Sequence, residues 1–412
     1  MRLPDRLAPL RERNFRLLFL GRLASLLGSS MAPIALAFAV IDDLDGSPSA
    51  LGLVLAAGWL PQIVFILLGG VLADRLPRHR VMVAADVVSG TAQLVAGALL
   101  LTGAAEIWQL AVVQVVRGTA TSFFFPASAG LVPQTVSAAR LQEANALLRL
   151  TQSGTNIVGA AAGGLLVAAV GSGWAIAFDG ATYLAGAAIL SLLRVGAAGR
   201  LPGSNTFREL REGWQEFSAR TWLWVIVAAA AFTNAATMCG YVVLGPVVAD
   251  RELGGAASWG LIVSAGAAGF IVGGVVCLRL RPQRYLLVGT TALLLLALPL
   301  LALATHQPTV VVAAAAFASG FGLELFGVFW ETALQQHVPL DRLSRVSSYD
   351  ALGSFVFIPV GQTLAGPLSD LFGIEETQLL CAAVVVGTTL AALAVADVRG
   401  LRRVEQPAGV AA

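Results

Sequence analysis

The chain has 412 residues, 57% hydrophobic and only 12% charged, with a formal net charge of +2. A soluble domain carries about 25% charged residues, so the composition excludes one and indicates an integral membrane protein. The near-neutral charge excludes a nucleic-acid footprint. All 26 basic residues are arginine, and a Walker A loop needs a lysine, which argues against ATP-driven chemistry. Cys239, Cys277 and Cys381 lie in apolar runs and do not read as a disulfide framework. His79, His306 and His337 lack metal-ligand spacing. Neither a metal nor a cofactor is expected, and no nucleophile or paired-carboxylate constellation points to an enzyme.

A membrane-spanning helix needs about 20 apolar residues. About twelve such runs occur, near 17–41, 50–72, 81–102, 107–130, 145–170, 174–195, 222–248, 258–279, 285–305, 309–331, 348–369 and 377–398. The first is too long for a signal-peptide core and lacks a small-residue cleavage site. Within it, Arg22, Ser25 and Ser29 share a helical face, and Arg22 either snorkels to headgroups or faces a cavity. In the second run Trp59 and Gln62 lie deeper than interface anchors, as pocket wall or packing. A short loop then crowds Asp74, Arg75, Arg78 and Arg80 behind Gly69 and Gly70. Asp86, early in the third run, reads as an ion-pair partner of that basic cluster.

In the fourth run Gln114, Arg117 and Thr121 share a face. A buried arginine is costly and meets an interior path or an acid, so Arg117 serves either function or a structural ion pair. In the fifth run Gly159, Gly163 and Gly164 allow close helix approach. Asp179, in the sixth, reads as locally paired or open to outside water. The segment 196–220 begins with turn-forming residues and ends with Phe207, Leu210, Trp214 and Phe217 at helical spacing. It reads as a linker whose helix lies on the membrane surface. In the seventh run Asn234, Met238 and Tyr241 share a face that suits a pocket wall. Glu324, deep in the tenth, either couples to protons or simply hydrates. The eleventh run is expected to start at Ser347-Ser348-Tyr349-Asp350, whose serines suit a helix cap.

Arginine placement sets orientation. The N-terminal segment (Arg2, Arg6, Arg11, Arg13, Arg16), alternate loops and the tail (Arg399, Arg402, Arg403) are basic. The opposite loops carry Asp42, Asp43, Asp45, Glu106, Asp370, Glu375 and Glu376, with Arg251 the exception. Both termini are therefore expected in the cytoplasm. Trp108, Trp174, Trp222 and Trp259 sit at span starts, where interface anchors belong. The chain also repeats itself: Gly118 and Gly320, Gly159 and Gly361, and Gly164 and Gly366 all stand 202 residues apart. The expectation is an all-α membrane protein with two six-helix bundles, 1–195 and 221–412, joined by 196–220. Parallel repeats of this kind place a substrate site near the midplane.

The loop matches the pattern G-x-L-A-D-R-x-G-R-R/K at Gly70, Leu72, Ala73, Asp74, Arg75 and Arg78, with Pro77 replacing a glycine and His79 a basic residue. It resembles the loop between helices two and three of major facilitator superfamily transporters. The fifth run is similar to that superfamily's antiporter motif G-P-x-x-G-G, with Ala160 in the proline position. In the fourth run the family's arginine position holds Gln114, and Arg117-Gly118 stand where Gln-Gly is usual. Asn14-Phe15-Arg16, Phe123-Phe124-Phe125-Pro126-Ala127, Leu131-Val132-Pro133-Gln134 and Trp330-Glu331-Thr332-Ala333-Leu334-Gln335 resemble the exporter branch that includes the enterobactin exporter and macrolide efflux proteins. The resemblance implies export of a small organic molecule driven by the proton gradient; the alternatives are a uniporter or importer of the same fold, or a membrane enzyme or non-transporting receptor, and a monomer in the bacterial cytoplasmic membrane is expected. It also implies a cavity lined by the first, fourth, seventh and tenth runs, and a gating role for Asp74.

Overall fold

The computed structural model describes residues 5–75, 77–137, 140–195 and 214–403, and all regular structure among them is helical. The apolar runs become helices α1 (Arg13–Asp43), α2 (Pro48–Arg75), α3 (Arg78–Leu101), α4 (Ile107–Leu131), α5 (Leu141–Val170) and α6 (Ser172–Ser191). After residue 213 come α7 (Thr221–Leu253), α8 (Gly255–Cys277), α9 (Tyr285–Ala304), α10 (Thr309–His337), α11 (Leu340–Phe355, resuming at Ile358–Phe372) and α12 (Ile374–Ala394). Among the described residues, 11 helices are long and apolar enough to cross a membrane. The exception, α4, is of similar length but carries Gln109, Gln114 and Arg117. Lipid supplies no hydrogen bonds, so a helix, which satisfies its own backbone, is the form an apolar run takes there.

The chain divides into two compact units. The first holds Met1–Pro202, Val242–Ser264 and Gln362–Phe372. In it α3 packs on α6 and α4, α2 packs on α4, and α1 packs on α5 and α6. The second holds Gly203–Tyr241, Ala265–Gly361 and Gly373–Ala412. There α9 packs on α10 and α12, α12 packs on α7, and the first part of α11 packs on α7.

The glycines spaced 202 residues apart mark equivalent approaches. A Cβ on Gly118 would lie 2.9 Å from the Gly58 carbonyl carbon, and one on Gly320 would lie 2.9 Å from that of Gly266. Backbone fills the space a side chain would need, so α2–α4 and α8–α10 meet in the same way. Gly159 faces Ser30 on α1, and Gly361 faces Ala235 on α7. Helices α1 and α7 also end alike, in π-helical turns at Ala39–Asp43 and Ala249–Leu253.

Two sequence expectations fail. Trp108 and Trp174 are exposed, but Trp222 and Trp259 are buried at 6% and 4%. Trp222 packs edge-on against Trp330, with ring centroids 5.7 Å apart. A tryptophan's position along the helix gives its depth; the face it occupies decides whether it meets lipid or protein. The membrane-crossing part of α11 starts at Tyr349, but its helix begins earlier, at Leu340, with Pro339 in the N-cap position and no side-chain cap, so the serines do not cap it. Ser347 and Ser348 lie within the helix, where backbone N–H groups already have partners and no free end awaits a carboxylate.

Candidate functional site

In the first unit, four helices aim charged and polar side chains at one another. Asp86 on α3 is 1% exposed and accepts a hydrogen bond from Ser25 Oγ of α1 at 3.0 Å. Two turns further along α3, Gln93 donates to Asp179 Oδ2 of α6 at 2.5 Å. Asp179 is fully buried. Arg117 of α4 reaches the same carboxylate, with Nη2 3.9 Å from Oδ2, and donates from Nη1 to Gln114 Oε1 at 3.1 Å. Its guanidinium carbon stands 5.9 Å from the centre of the Tyr183 ring. Asp179 Oδ1 and Arg117 Nε are buried without hydrogen-bond partners among the described residues.

Glycines make this convergence possible. A Cβ on Gly28 would stand 2.7 Å from Asp179 Oδ1, and one on Gly186 would stand 3.2 Å from Asp86 Oδ2. Helices α1 and α6 therefore close on each other beside the two carboxylates, Gly28 against Thr182 and Asp179 and Gly186 against Ser25 and Asp86. Beside them lies a cavity of about 170 Å³ whose wall includes Arg22, Ser25, Ser29, Asp86, Ser89, Gln152 and Tyr183, with Phe124 and Phe125. It joins acid, base, hydroxyl and aromatic groups, so it can hold a polar guest or carry a proton.

Magnitudes bear on its role. An ionised side chain at mid-membrane costs about 2.5–3.5 kcal/mol on insertion scales. Exchanging a buried ion pair for apolar residues is often neutral or stabilising by about 1–4 kcal/mol. Packing alone therefore gives little reason to place Arg22, Asp86, Arg117 and Asp179 here.

Of the residues singled out in the sequence, Arg22, Ser25 and Asp86 share this cavity wall, while Gln114 and Arg117 join the adjoining network. Asp86 lies inside the bundle with Ser25, because its position on α3 turns it toward α1. Asp179 is sealed from water and paired, not open to the outside. Trp59 and Gln62 stand apart from the cavity wall; Gln62 Nε2 donates to Gly58 O of its own helix at 3.1 Å. Gly70, Asp74 and Arg75 end α2 where side chains lie outside the described residues. Arg78 starts α3 and is half-buried. Gly163 meets Met31 Cβ at 2.9 Å for an added Cβ, and Gly164 meets Gly260 Cα at 3.0 Å.

The remaining residues belong to the second unit. Asn234 Nδ2 donates to Ser354 O of α11 at 2.9 Å, joining α7 to α11. Met238 and Tyr241 lie in a π-helical segment, Met238–Val243. Glu324 packs along the α8 glycines, its Oε1 3.2 Å from a Cβ placed on Gly274. The carboxylate that Arg117 pairs with is thus Asp179, from its own unit. His306 meets Glu375 at 3.3 Å, an exposed pair the spacing did not suggest.

Sequence reading missed Gln93, Ser89, Gln152 and Tyr183. The seven-residue step from Asp86 to Gln93 and the four-residue step from Asp179 to Tyr183 were readable as polar stripes on single faces.

The family model described as Major Facilitator Superfamily matches residues 18–361. Among named relatives, macrolide efflux protein A of Streptococcus pyogenes is 21% identical over 394 residues, covering 94% of this chain and 97% of that one. The multidrug efflux pump Tap of Mycobacterium tuberculosis is 25% identical over 402 residues, covering 93% and 94%. Among solved structures, a mutant of the nucleoside transporter NupG superposes with a TM-score of 0.75 at 12% identity, covering 93% of this chain and 99% of that one, and so shares the fold. The chain belongs to the Major Facilitator Superfamily and is a multi-pass membrane transporter, not an enzyme.

Proposed function

We propose that the protein exports a small organic molecule across the bacterial cytoplasmic membrane in exchange for protons, as a monomer with both termini in the cytoplasm. Two six-helix halves, 1–195 and 221–412, rock about a substrate cavity between them, and the linker 196–220 tethers them. The efflux names of the low-identity relatives support the export direction.

The observation that carries the proton reading is Asp86. It is a buried carboxyl on the wall of a polar cavity that it shares with Arg22, hydrogen-bonded by Ser25. Burial favours the neutral form of a carboxyl and a nearby arginine favours the charged form. A change in the Arg22–Asp86 geometry between conformations therefore loads and unloads a proton. Asp179, already bonded to Gln93 and beside Arg117, holds the neighbouring charge in place. Glu324 is the second candidate, since it lies deep in α10 against the glycines of α8.

The test uses everted vesicles loaded with a fluorescent drug panel. Asp86→Asn is expected to lose gradient-driven uptake while keeping counterflow of substrate without a gradient. Glu324→Gln is expected to keep both. Normal gradient-driven uptake in Asp86→Asn, with loss in Glu324→Gln, moves the coupling site to α10. Counterflow lost with gradient-driven uptake assigns Asp86 to substrate binding instead.

A further inference from the structure

Within the second unit, the loop between α8 and α9 and the chain beyond α12 bring five arginines together. Arg279, Arg281 and Arg284 are exposed on the loop, and Arg402 and Arg403 are exposed on the tail. Packing carries the tail there. Val398, in the short helix Ala396–Gly400, is fully buried in an apolar core that includes Tyr285 and Leu286 of α9. His337 Nε2, at the end of α10, hydrogen-bonds to Arg402 O at 3.2 Å, and Arg403 N donates to Gln283 O at 2.9 Å. Among the described residues, none of the five arginines forms an ion pair with a carboxylate. The loop also holds a cavity of about 430 Å³ lined by Val275, Val276, Arg279, Leu280, Arg281 and Pro282. Its apolar side continues along α8, where Val272, Val275 and Leu278 are 42%, 54% and 77% exposed. Residues three and four apart share a helical face, so Val272, Val275 and Arg279 form one stripe. Gly273 packs on Phe321 and Glu324 of α10. Two residues on, and about 200° round the helix, Val275 faces away from that contact.

We infer that Arg279 and Arg281, in the field of the neighbouring arginines, form a headgroup site for an anionic phospholipid whose acyl chains lie along Val275 and Val272. The loop joins two membrane-crossing helices, Gly255–Cys277 and Tyr285–Ala304, so it stands at headgroup depth. Guanidinium forks match phosphate oxygens bidentately, and the apolar stripe takes the chains. Basic pockets beside membrane helices are where anionic headgroups bind. Charges that served only to orient the loop need neither a cavity nor a tail folded back beside them. A soluble anion would use the arginines but leave the apolar side of the cavity bare. A zwitterionic headgroup brings its own cation and gains less from unpaired arginines. The bound lipid offsets the repulsion among the five arginines and so holds the tail against the loop. This site is independent of substrate, direction and coupling, since it needs only that α8 and α9 cross a bilayer.

The full-length protein is reconstituted in nanodiscs containing a small fraction of phosphatidylglycerol with a photoactivatable group high on one acyl chain. A parallel sample carries phosphatidylcholine with the same chain. After illumination and digestion, mass spectrometry locates the attached lipid. Phosphatidylglycerol is expected to label residues 272–282 severalfold more than phosphatidylcholine does. Arg279→Gln combined with Arg281→Gln is expected to lower that labelling roughly 25-fold, since each arginine near an anionic headgroup contributes about fivefold. Arg13→Gln combined with Arg16→Gln, in the N-terminal basic segment, leaves it unchanged, as does excess inorganic phosphate on the unmodified protein. Equal labelling by the two lipids overturns the site, and so does full labelling in the loop variant. Loss of labelling on adding phosphate overturns it in favour of a soluble-anion site. An equal fall in the Arg13 and Arg16 variant overturns it in favour of attraction by net charge alone. The comparison of the two lipids on unmodified protein stands even where the loop variant fails to fold.

Discussion

At the scale of single residues, Arg117 matters most because it is tied to a carboxylate that has no water. Removing one partner of a buried ion pair leaves an uncompensated charge, at a cost of about 3–5 kcal/mol. Arg117→Ala is therefore expected to lower the thermal midpoint of the detergent-solubilised protein sharply. Arg117→Ala combined with Asp179→Asn is expected to recover most of the loss, because the stranded charge is gone. An Arg117→Ala midpoint equal to that of the unmodified protein contradicts the pairing. The polar residues were legible as stripes, 86 with 93 and 179 with 183. Their partners were not. Asp86 sits one turn or two from Arg78 and Arg80 in sequence, yet its contact is Ser25, 61 residues away.

Helices and connections come next, and the end of the linker shows how a short element is held. Residues 214–218 are helical. Trp214 stacks on Phe217 with centroids 5.7 Å apart, and both pack on Tyr349 of α11, at 5.5 and 6.0 Å. Glu216 bridges Arg220, at the start of α7, and Arg342, in the first turn of α11. The Arg220 bond, followed by the Arg342 bond, holds the Glu216 carboxyl below its ordinary value of 4.5. With a depressed folded value, the bridge's contribution is fully present above about pH 4.5 and is lost as pH falls through the folded value. Hydrogen exchange at 214–220 is expected to speed up below that pH in the unmodified protein. Glu216→Gln is expected to exchange faster at neutral pH and to show little further change on acidification. Identical acid responses in the two proteins remove Glu216 from this role. The aromatic spacing of Trp214 and Phe217 was visible in the sequence, whereas Tyr349 as their platform was not, since it lies 132 residues beyond Phe217.

For the whole molecule, the arginine pattern makes a topological prediction independent of any site. Protease-cleavable tags at both ends are expected to survive external protease in intact cells and to be cut in everted vesicles. A tag cut in intact cells reverses the orientation of that terminus. What the sequence determined by itself follows from composition along the chain. Apolar length sets the helices, because lipid leaves backbone groups no partner but one another. The glycine spacings mark where helices approach, because two backbones meet only where a side chain is missing. The tertiary structure alone decided the rotation of each helix. In a soluble protein a polar stripe marks the outward face, but here lipid and protein core are both apolar, so most faces of a helix look alike in the sequence. That is why Trp222 and Trp259 turned inward against expectation, and why Asp179 met Gln93 and Arg117 instead of water.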